Sequence, residues 1–105
     1  MVKVVLLLNR KPDLAQEEFI DYWLQRHAPL VTKVPGVRRY VISIASKAVA
    51  GLPQPDGMAE LWFADAEAME HAFRSPEWVA ARQDGNNFRV NSIAFVTDEH
   101  VIKKY

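Results

Sequence analysis

The chain has 105 residues, of which half are hydrophobic and a quarter charged, and its 13 basic and 13 acidic side chains give a formal net charge of zero. This length predicts one domain spanning residues 1–105, and the composition excludes a disordered chain. The balanced charge gives no electrostatic footprint for nucleic acid, and the lack of cysteine excludes disulfides, zinc–thiolate sites and thiol nucleophiles.

The first segment, Val2 to Asn9, is apolar at nearly every position. It predicts a strand that is covered on both faces, because a strand with one wet face would alternate apolar and polar residues. The run lacks the cleavage site of a signal peptide, and no segment reaches the roughly 20 apolar residues that cross a bilayer. We therefore expect a cytoplasmic protein with no membrane partner.

The stretch FIDYWLQRHAPLV predicts an amphipathic helix. Its apolar side carries residues at helical spacing, with Asp13 as the expected N-cap: Phe19, Ile20, Trp23, Leu24, His27 and Leu30. Pro29 removes the amide that would bond the carbonyl of Gln25, so we expect the helix to kink or end just beyond His27.

Two strands and a second helix follow. VRRYVISIA is predicted as strand two, Ser46 to Gly57 as a mobile connection rich in turn-forming residues, and MAELWFA as strand three. The second helix is predicted in two pieces, the first capped by Asp65 and the second by Ser75 with Pro76 at its first position. NSIAFVTDEHVI is predicted as strand four.

The predicted order is β-α-β-β-α-β, which indicates an α+β ferredoxin-like fold with two helices on one face of a four-stranded antiparallel sheet. Strand one would be central and apolar on both sides, so the face without helices needs cover. We expect a second copy of the chain to supply it. The prediction is thus a homodimer with two sheets face to face, a dimeric α/β barrel.

His27 is the main candidate for chemistry. It lies one helical turn from Trp23, on the side that faces the sheet, and Tyr40 of strand two can meet it there. In one interpretation the imidazole is a core group that hydrogen-bonds Tyr40 or the freed Gln25 carbonyl. In the other, His27 and Tyr40 are a general acid/base pair beside a pocket.

Other residues are weaker candidates. Glu60 would be costly without a partner in strand three, and it either pairs with Arg38 or Arg39 or joins the pocket. Trp23 and Trp62 are candidate pocket walls. Phe88, in the loop before strand four with Asp84, is a further substrate-binding candidate, although a plain turn is the alternative there.

The chain offers no recognisable metal or nucleotide motif. His71 and His100 are expected in solvent, and neither forms a metal-binding spacing with His27. The four glycines are scattered, so no phosphate-binding loop is present. We therefore predict no metal and no cofactor.

Five segments, FIDYWLQRHAPLV, PGVRRYV, ELWFADAEAM, SPEW and FVTDEH, resemble the EthD domain family, named for ethyl tert-butyl ether degradation, in order and spacing across almost the whole chain. The resemblance implies the dimeric α/β barrel superfamily, which includes cofactor-independent monooxygenases, polyketide cyclases and dehydratases, and a muconolactone methylisomerase. It also implies that His27 matches a helix-one histidine that acts in acid/base chemistry, and that Tyr40 matches a tyrosine following Pro-Gly.

The function expected from residues and resemblance together is cofactor-independent acid/base chemistry, of an isomerase or dehydratase type, on a small hydrophobic or aromatic molecule. His27 would transfer the proton and Tyr40 would hold or polarise a substrate oxygen. Two alternatives stay open: a non-catalytic accessory protein that binds such a compound in ether or aromatic degradation, and a cofactor-free monooxygenase.

Overall fold

A computed structural model describes residues 1–51 and 55–105. Four strands form one antiparallel sheet in the order β2-β3-β1-β4, which confirms the predicted ferredoxin-like α+β fold. The elements in chain order are β1 (Val2–Arg10), α1 (Gln16–Tyr22), a π-helical turn (Trp23–His27), α2 (Ala28–Thr32), β2 (Arg39–Ile44), β3 (Gly57–Phe63), α3 (Ala66–Phe73), α4 (Pro76–Asp84), a 3₁₀ turn (Gly85–Asn87) and β4 (Arg89–Thr97).

The strand register decides which side chains meet the helices. Val4 of β1 pairs with Leu61 of β3, which pairs in turn with Tyr40 of β2. Directly paired residues point to the same face of a sheet. Val4 and Leu61 are buried in the core under the helices, so Tyr40 also faces the helices.

The first helix departs from its prediction at its beginning. It begins at Gln16 with Ala15 as N-cap, so the predicted cap at Asp13 is wrong. A carboxylate oxygen of Glu18 accepts a hydrogen bond of 3.0 Å from the Ala15 amide. The Ala15 amide at the start of the helix therefore has its acceptor in Glu18, three residues later. It does not need the Asp13 side chain as an acceptor.

The irregularity predicted near Pro29 is present, but the helix does not end there. The Ala28 amide bonds the Trp23 carbonyl, five residues earlier, and the chain then continues as α2 through Pro29 to Thr32. A π turn inserts one extra residue into a helix and turns the following side chains relative to the earlier ones. His27 is the last residue of this turn.

The second helical region follows its prediction closely. The side chain of Asp65 accepts a hydrogen bond from the Ala68 amide at 2.8 Å, and that of Ser75 accepts one from Trp78 at 3.1 Å. Each is the N-cap of its helix. Residues 52–54 of the connection predicted from Ser46 to Gly57 lie outside the described residues.

The sheet face away from the helices is uncovered. Ile93 and Phe95 of β4 are 58% and 44% exposed there, and they pair with Leu7 and Val5 of β1 on the same face. None of the described helices is long and apolar enough to cross a membrane.

Candidate functional site

A small cavity lies between the helices and the sheet. Its volume is about 30 Å³, which is room for about two water molecules. Side chains from both layers line it, among them Leu6, Trp23, His27, Tyr40, Trp78 and Arg89. The cavity therefore brings the two predicted catalytic residues, His27 and Tyr40, to one site together with the predicted wall Trp23.

His27 is held in this cavity by a carboxylate that the sequence analysis had placed in a turn. The His27 side chain is only 3% exposed, and its Nδ1 lies 2.8 Å from Oδ2 of Asp84. Because an ionised carboxylate accepts hydrogen bonds and cannot donate them, Nδ1 carries the proton. The partner is thus neither Tyr40 nor the Gln25 carbonyl.

Asp84 is itself fixed by two further donors. The hydroxyl of Tyr22 donates to Oδ1 at 2.7 Å, and the side-chain amide of Asn87 donates to the same oxygen at 3.2 Å. The same Asn87 amide lies 3.1 Å from the Tyr22 hydroxyl. The carboxylate is therefore held by groups from the first helix and from the 3₁₀ turn after α4, which fixes the direction of the imidazole ring.

The electrostatics of the pair favour a neutral imidazole beside an ionised carboxylate. Burial lowers the pKa of His27 below its ordinary value of 6.5, and the opposing hydrogen bond to Asp84 does not offset this. Burial alone would raise the pKa of Asp84, but the hydrogen bonds from Tyr22, His27 and Asn87 lower it below 3.8. Nε2 of His27 consequently carries a free lone pair, and among the side-chain hydrogen bonds of residues 1–51 and 55–105 the imidazole takes part only through Nδ1.

Two further polar groups share the cavity with His27. Burial raises the pKa of Tyr40 to about 12, so its hydroxyl stays protonated and can donate a hydrogen bond. Arg89 lies close enough to both Tyr40 and Asp84 for their charges to act on it. Burial lowers the pKa of Arg89, although a guanidinium remains charged at neutral pH.

A β-bulge brings Arg89 into the cavity. The register between β1 and β4 shifts so that Asn91 and Ser92 together oppose Leu8, and Asn91 has a positive φ of 51°. Such a bulge reverses which side chains of a strand face the helices. Ala94 pairs with Leu6 and faces the helices. In a strand without the bulge, residues an odd number of positions from Ala94 would point to the other face, so Arg89 would lie on the uncovered side.

Buried aromatic rings pack around His27 and its cavity. The Phe88 ring is fully buried and lies 4.8 Å from the His27 ring and 5.4 Å from that of Tyr22 between centroids. Phe88 is thus part of the core next to the imidazole, and it does not line the cavity, as a substrate-binding residue would. Trp23, also fully buried, packs against Gly57, where any Cβ would collide with its indole ring.

Two predicted site residues lie on the other face of the sheet. Glu60 and Trp62 alternate with Leu61 along β3 and so point away from the helices. The partner of Glu60 is Lys3, at 3.2 Å, so neither of the two expected alternatives, a pair with Arg38 or Arg39 or a place in the pocket, describes it. The guanidinium of Arg39 lies over Trp62, with its Cζ 4.8 Å from the centroid of the indole ring. Because Glu60 and Trp62 point away from the helices, neither lines the cavity of His27.

Asp84 was not predicted as the partner of His27, and Arg89 was not among the predicted site residues. The position of Asp84 is one signal for its role, because it is the last residue of α4. A carboxylate is unfavourable near the negative end of a helix dipole, so it needs hydrogen-bond donors from elsewhere in the fold. In the described ranges, no cluster of three or more histidine, aspartate or glutamate side chains could hold a metal ion.

Comparison with known proteins shows similarity over nearly the whole chain. The family model of the EthD domain matches residues 11–91. A protein of Rhodococcus erythropolis, described as an uncharacterized 11.0 kDa protein in the thcB-thcC intergenic region, is 28% identical over 103 residues, which is 97% of this chain and 98% of that protein.

Solved structures share the fold at lower sequence identity. The EthD family protein of Bacillus halodurans C-125 superposes with a TM-score of 0.78 at 24% identity, covering 95% of this chain and all of the other. A dimeric ferredoxin-like protein of Thermobifida fusca gives 0.71 at 11% identity over 91% and 88% of the two chains. SnoaB of Streptomyces nogalater, a cofactor-independent oxygenase, gives 0.65 at 16% over 98% and 97%.

Proposed function

Because this chain belongs to the EthD domain family, we propose that it is a cofactor-independent enzyme that moves a proton on a small hydrophobic or aromatic molecule, with His27 as the proton-transfer group. The observation that carries the proposal is the hydrogen bond between Asp84 and Nδ1 of His27, which leaves Nε2 without a protein partner inside a cavity. An imidazole held in this way is a general base at neutral pH.

The chemistry follows from what each group can do. Nε2 of His27 would take a proton from a carbon next to a carbonyl group, and Asp84 would stabilise the imidazolium that forms. The electron pair left on the substrate would move to the carbonyl oxygen, where the Tyr40 hydroxyl can donate a hydrogen bond. Return of the proton to another atom gives isomerisation, and its return to a departing hydroxyl gives dehydration.

The size of the cavity sets a requirement on binding. A volume of about 30 Å³ is far below the roughly 300–1,000 Å³ of pockets that enclose drug-sized ligands. Arg82 is exposed and also lines the cavity, so it lies where the cavity meets solvent. We propose that Arg82 moves outward when a substrate enters.

We further propose that the chain forms a homodimer through the uncovered face of the sheet. Phe95 and Ile93 are exposed there beside Leu7, and large exposed apolar patches are typical of interaction surfaces. The fold relative from Thermobifida fusca is described as dimeric. The cavity lies on the opposite side of the sheet, so each protomer would keep its own site.

Turnover measured by mass spectrometry tests the proposal. The panel contains muconolactones, hydroxylated aromatics, polyketide-like phenols and alkyl ethers, each incubated with the native protein, His27→Gln and His71→Gln. We expect a product from the native protein, a loss of roughly a hundredfold or more in His27→Gln, and no change in His71→Gln, because His71 is exposed on α3.

Other outcomes favour the alternative functions. Binding of a compound without any conversion, at equal affinity in native protein and His27→Gln, would indicate an accessory binding protein. Consumption of dioxygen with product formation would indicate a cofactor-free monooxygenase; the fold relative SnoaB is described as a cofactor-independent oxygenase.

A further inference from the structure

We propose that Arg89 is an anion-binding residue in the cavity, and that the natural ligand therefore carries a carboxylate or an equivalent anionic oxygen. The inference rests on the proposed function only for the choice of site. It names the class of compound, and its test does not require turnover.

Arg89 lacks an acceptor partner among the described residues. Its guanidinium lines the cavity, yet within residues 1–51 and 55–105 it forms no ion pair and no side-chain hydrogen bond to a protein group. The guanidinium packs over the Phe88 ring instead, with Cζ 5.6 Å from the ring centroid. The residue is half-buried, and none of its nitrogens is both enclosed and unpaired, so N–H donors remain accessible to a ligand in the cavity.

The nearest candidate for an internal partner is already engaged. The charge of Asp84 reaches Arg89, but the carboxylate accepts its hydrogen bonds from Tyr22, His27 and Asn87. Arg89 is therefore beside the His27–Asp84 pair without being part of it.

Gly85 leaves space for the guanidinium of Arg89. A Cβ on Gly85 would overlap three atoms of the Arg89 side chain, Nε, Cζ and Nη2. Gly85 is a helical residue with φ of −54°, so its backbone conformation does not require glycine. The absent side chain instead leaves room for the guanidinium beside the chain at the end of α4.

The charge of the cavity also favours an anionic ligand. Its described lining contains the arginines Arg82 and Arg89 and no aspartate or glutamate, and His27 is neutral at pH 7 because burial lowers its pKa. The lining is thus positive. The planar fork of a guanidinium matches the two oxygens of a carboxylate, and the Tyr40 hydroxyl is a further donor in the same cavity. A carboxylate held there would share the cavity with the His27 imidazole.

Nuclear magnetic resonance of the Arg89 Nε–H group tests the inference directly. The native protein is titrated at pH 7 with acetate and benzoate, and in parallel with the neutral amides acetamide and benzamide. We expect a saturable shift of the Arg89 signal with at least one carboxylate, and binding of its amide weaker by roughly tenfold or more, as for loss of a charge-assisted hydrogen bond.

Variants locate the binding. Arg89→Gln should abolish the preference for carboxylate over amide, Arg89→Lys should retain part of it, and Gly85→Ala should weaken it by displacing the guanidinium. Arg38→Gln is the matched control, because Arg38 is exposed before β2 and does not line the cavity. It should bind the carboxylate as the native protein does.

Two results would overturn the inference: an amide that binds as tightly as its carboxylate, or no saturable shift with either carboxylate. Both results come from the native protein, so the test stands even if Arg89→Gln does not fold. His27→Gln separates the two proposals. If the native protein converts no compound of the panel, yet it and His27→Gln bind the carboxylate equally, the anion site stands and the proposed catalysis is rejected.

Discussion

Asp84 at the end of α4 accepts a hydrogen bond of 2.8 Å from Nδ1 of His27, 57 residues earlier in the chain. This bond determines both the tautomer and the direction of the imidazole ring. It turns Nε2 away from Asp84, and Nε2 is the atom that would take the substrate proton in the proposed reaction.

Asp84→Asn should therefore lower turnover without unfolding the protein. An asparagine amide keeps the shape of the carboxylate but loses its charge, and it can leave Nε2 protonated instead of Nδ1. We expect turnover to fall by about tenfold or more, in line with a lost charge-assisted hydrogen bond. Asp65→Asn, an N-cap far from the cavity, is the control. Equal activity of Asp84→Asn and native protein would show that the pair only holds the helices together.

Acid should destabilise the fold through His27. Burial lowers the pKa of this imidazole below 6.5, so the unfolded chain binds the proton more tightly than the folded one. Stability is then full above the unfolded pKa and is lost as the pH falls through 6.5 toward the lower folded pKa. Asp84 does not contribute in this range, because its pKa is lowered from an ordinary value of 3.8.

Denaturant unfolding between about pH 7 and pH 5 measures this effect. His27→Gln should lose less stability across the interval than the native protein. His71→Gln, which removes an exposed histidine, should follow the native profile. Parallel profiles for native protein and His27→Gln would contradict the buried, neutral imidazole.

Gly57→Ala should destabilise the protein because the new methyl group would collide with the Trp23 indole. Overpacking of this kind costs about 1–3 kcal/mol of unfolding free energy. A smaller ring should relieve the collision, so the same substitution should cost less in a Trp23→Phe background. Additive effects of Gly57→Ala and Trp23→Phe in denaturant unfolding would show that the two sites are independent.

Phe95→Lys should separate the proposed dimer into monomers. The substitution places a charge among the exposed apolar side chains of β4, on the sheet face away from the helices, where its desolvation on association is unfavourable. Leu24→Lys is the control, because Leu24 is similarly exposed, at 43%, in the first helix. Light scattering should give a dimeric mass for the native protein and Leu24→Lys and a monomeric mass for Phe95→Lys. A native protein of monomeric mass would reject the proposal.

The elements that follow from local pattern were predictable. Asp65 and Ser75 cap their helices as expected because capping depends on a few neighbouring residues. Helix periodicity also placed His27 on the side of Trp23, because that signal acts within one element. Strand alternation made a meeting with Tyr40 possible, but the face of Tyr40 is decided by the pairing of β2 with β3.

What could not be predicted depends on register and on distant contacts. The faces of Glu60 and Trp62 follow from alternation with Leu61, but which face meets the helices requires the pairing of β3 with Tyr40. Arg89 reaches the cavity only because of the bulge at Asn91. The contact between Asp84 and His27 joins two helices, and no local pattern specifies it.

The protonation state of His27 is the measurement that tests the account most directly, because the proposed chemistry requires a proton on Nδ1 and a free lone pair on Nε2. Nitrogen-15 resonance of the imidazole, recorded from neutral to acidic pH, reports both the tautomer and the pKa. The account predicts the Nδ1–H tautomer with a pKa below 6.5 in the native protein, and loss of that preference in Asp84→Asn. An imidazole that carries its proton on Nε2, or that is already charged at neutral pH, would contradict it.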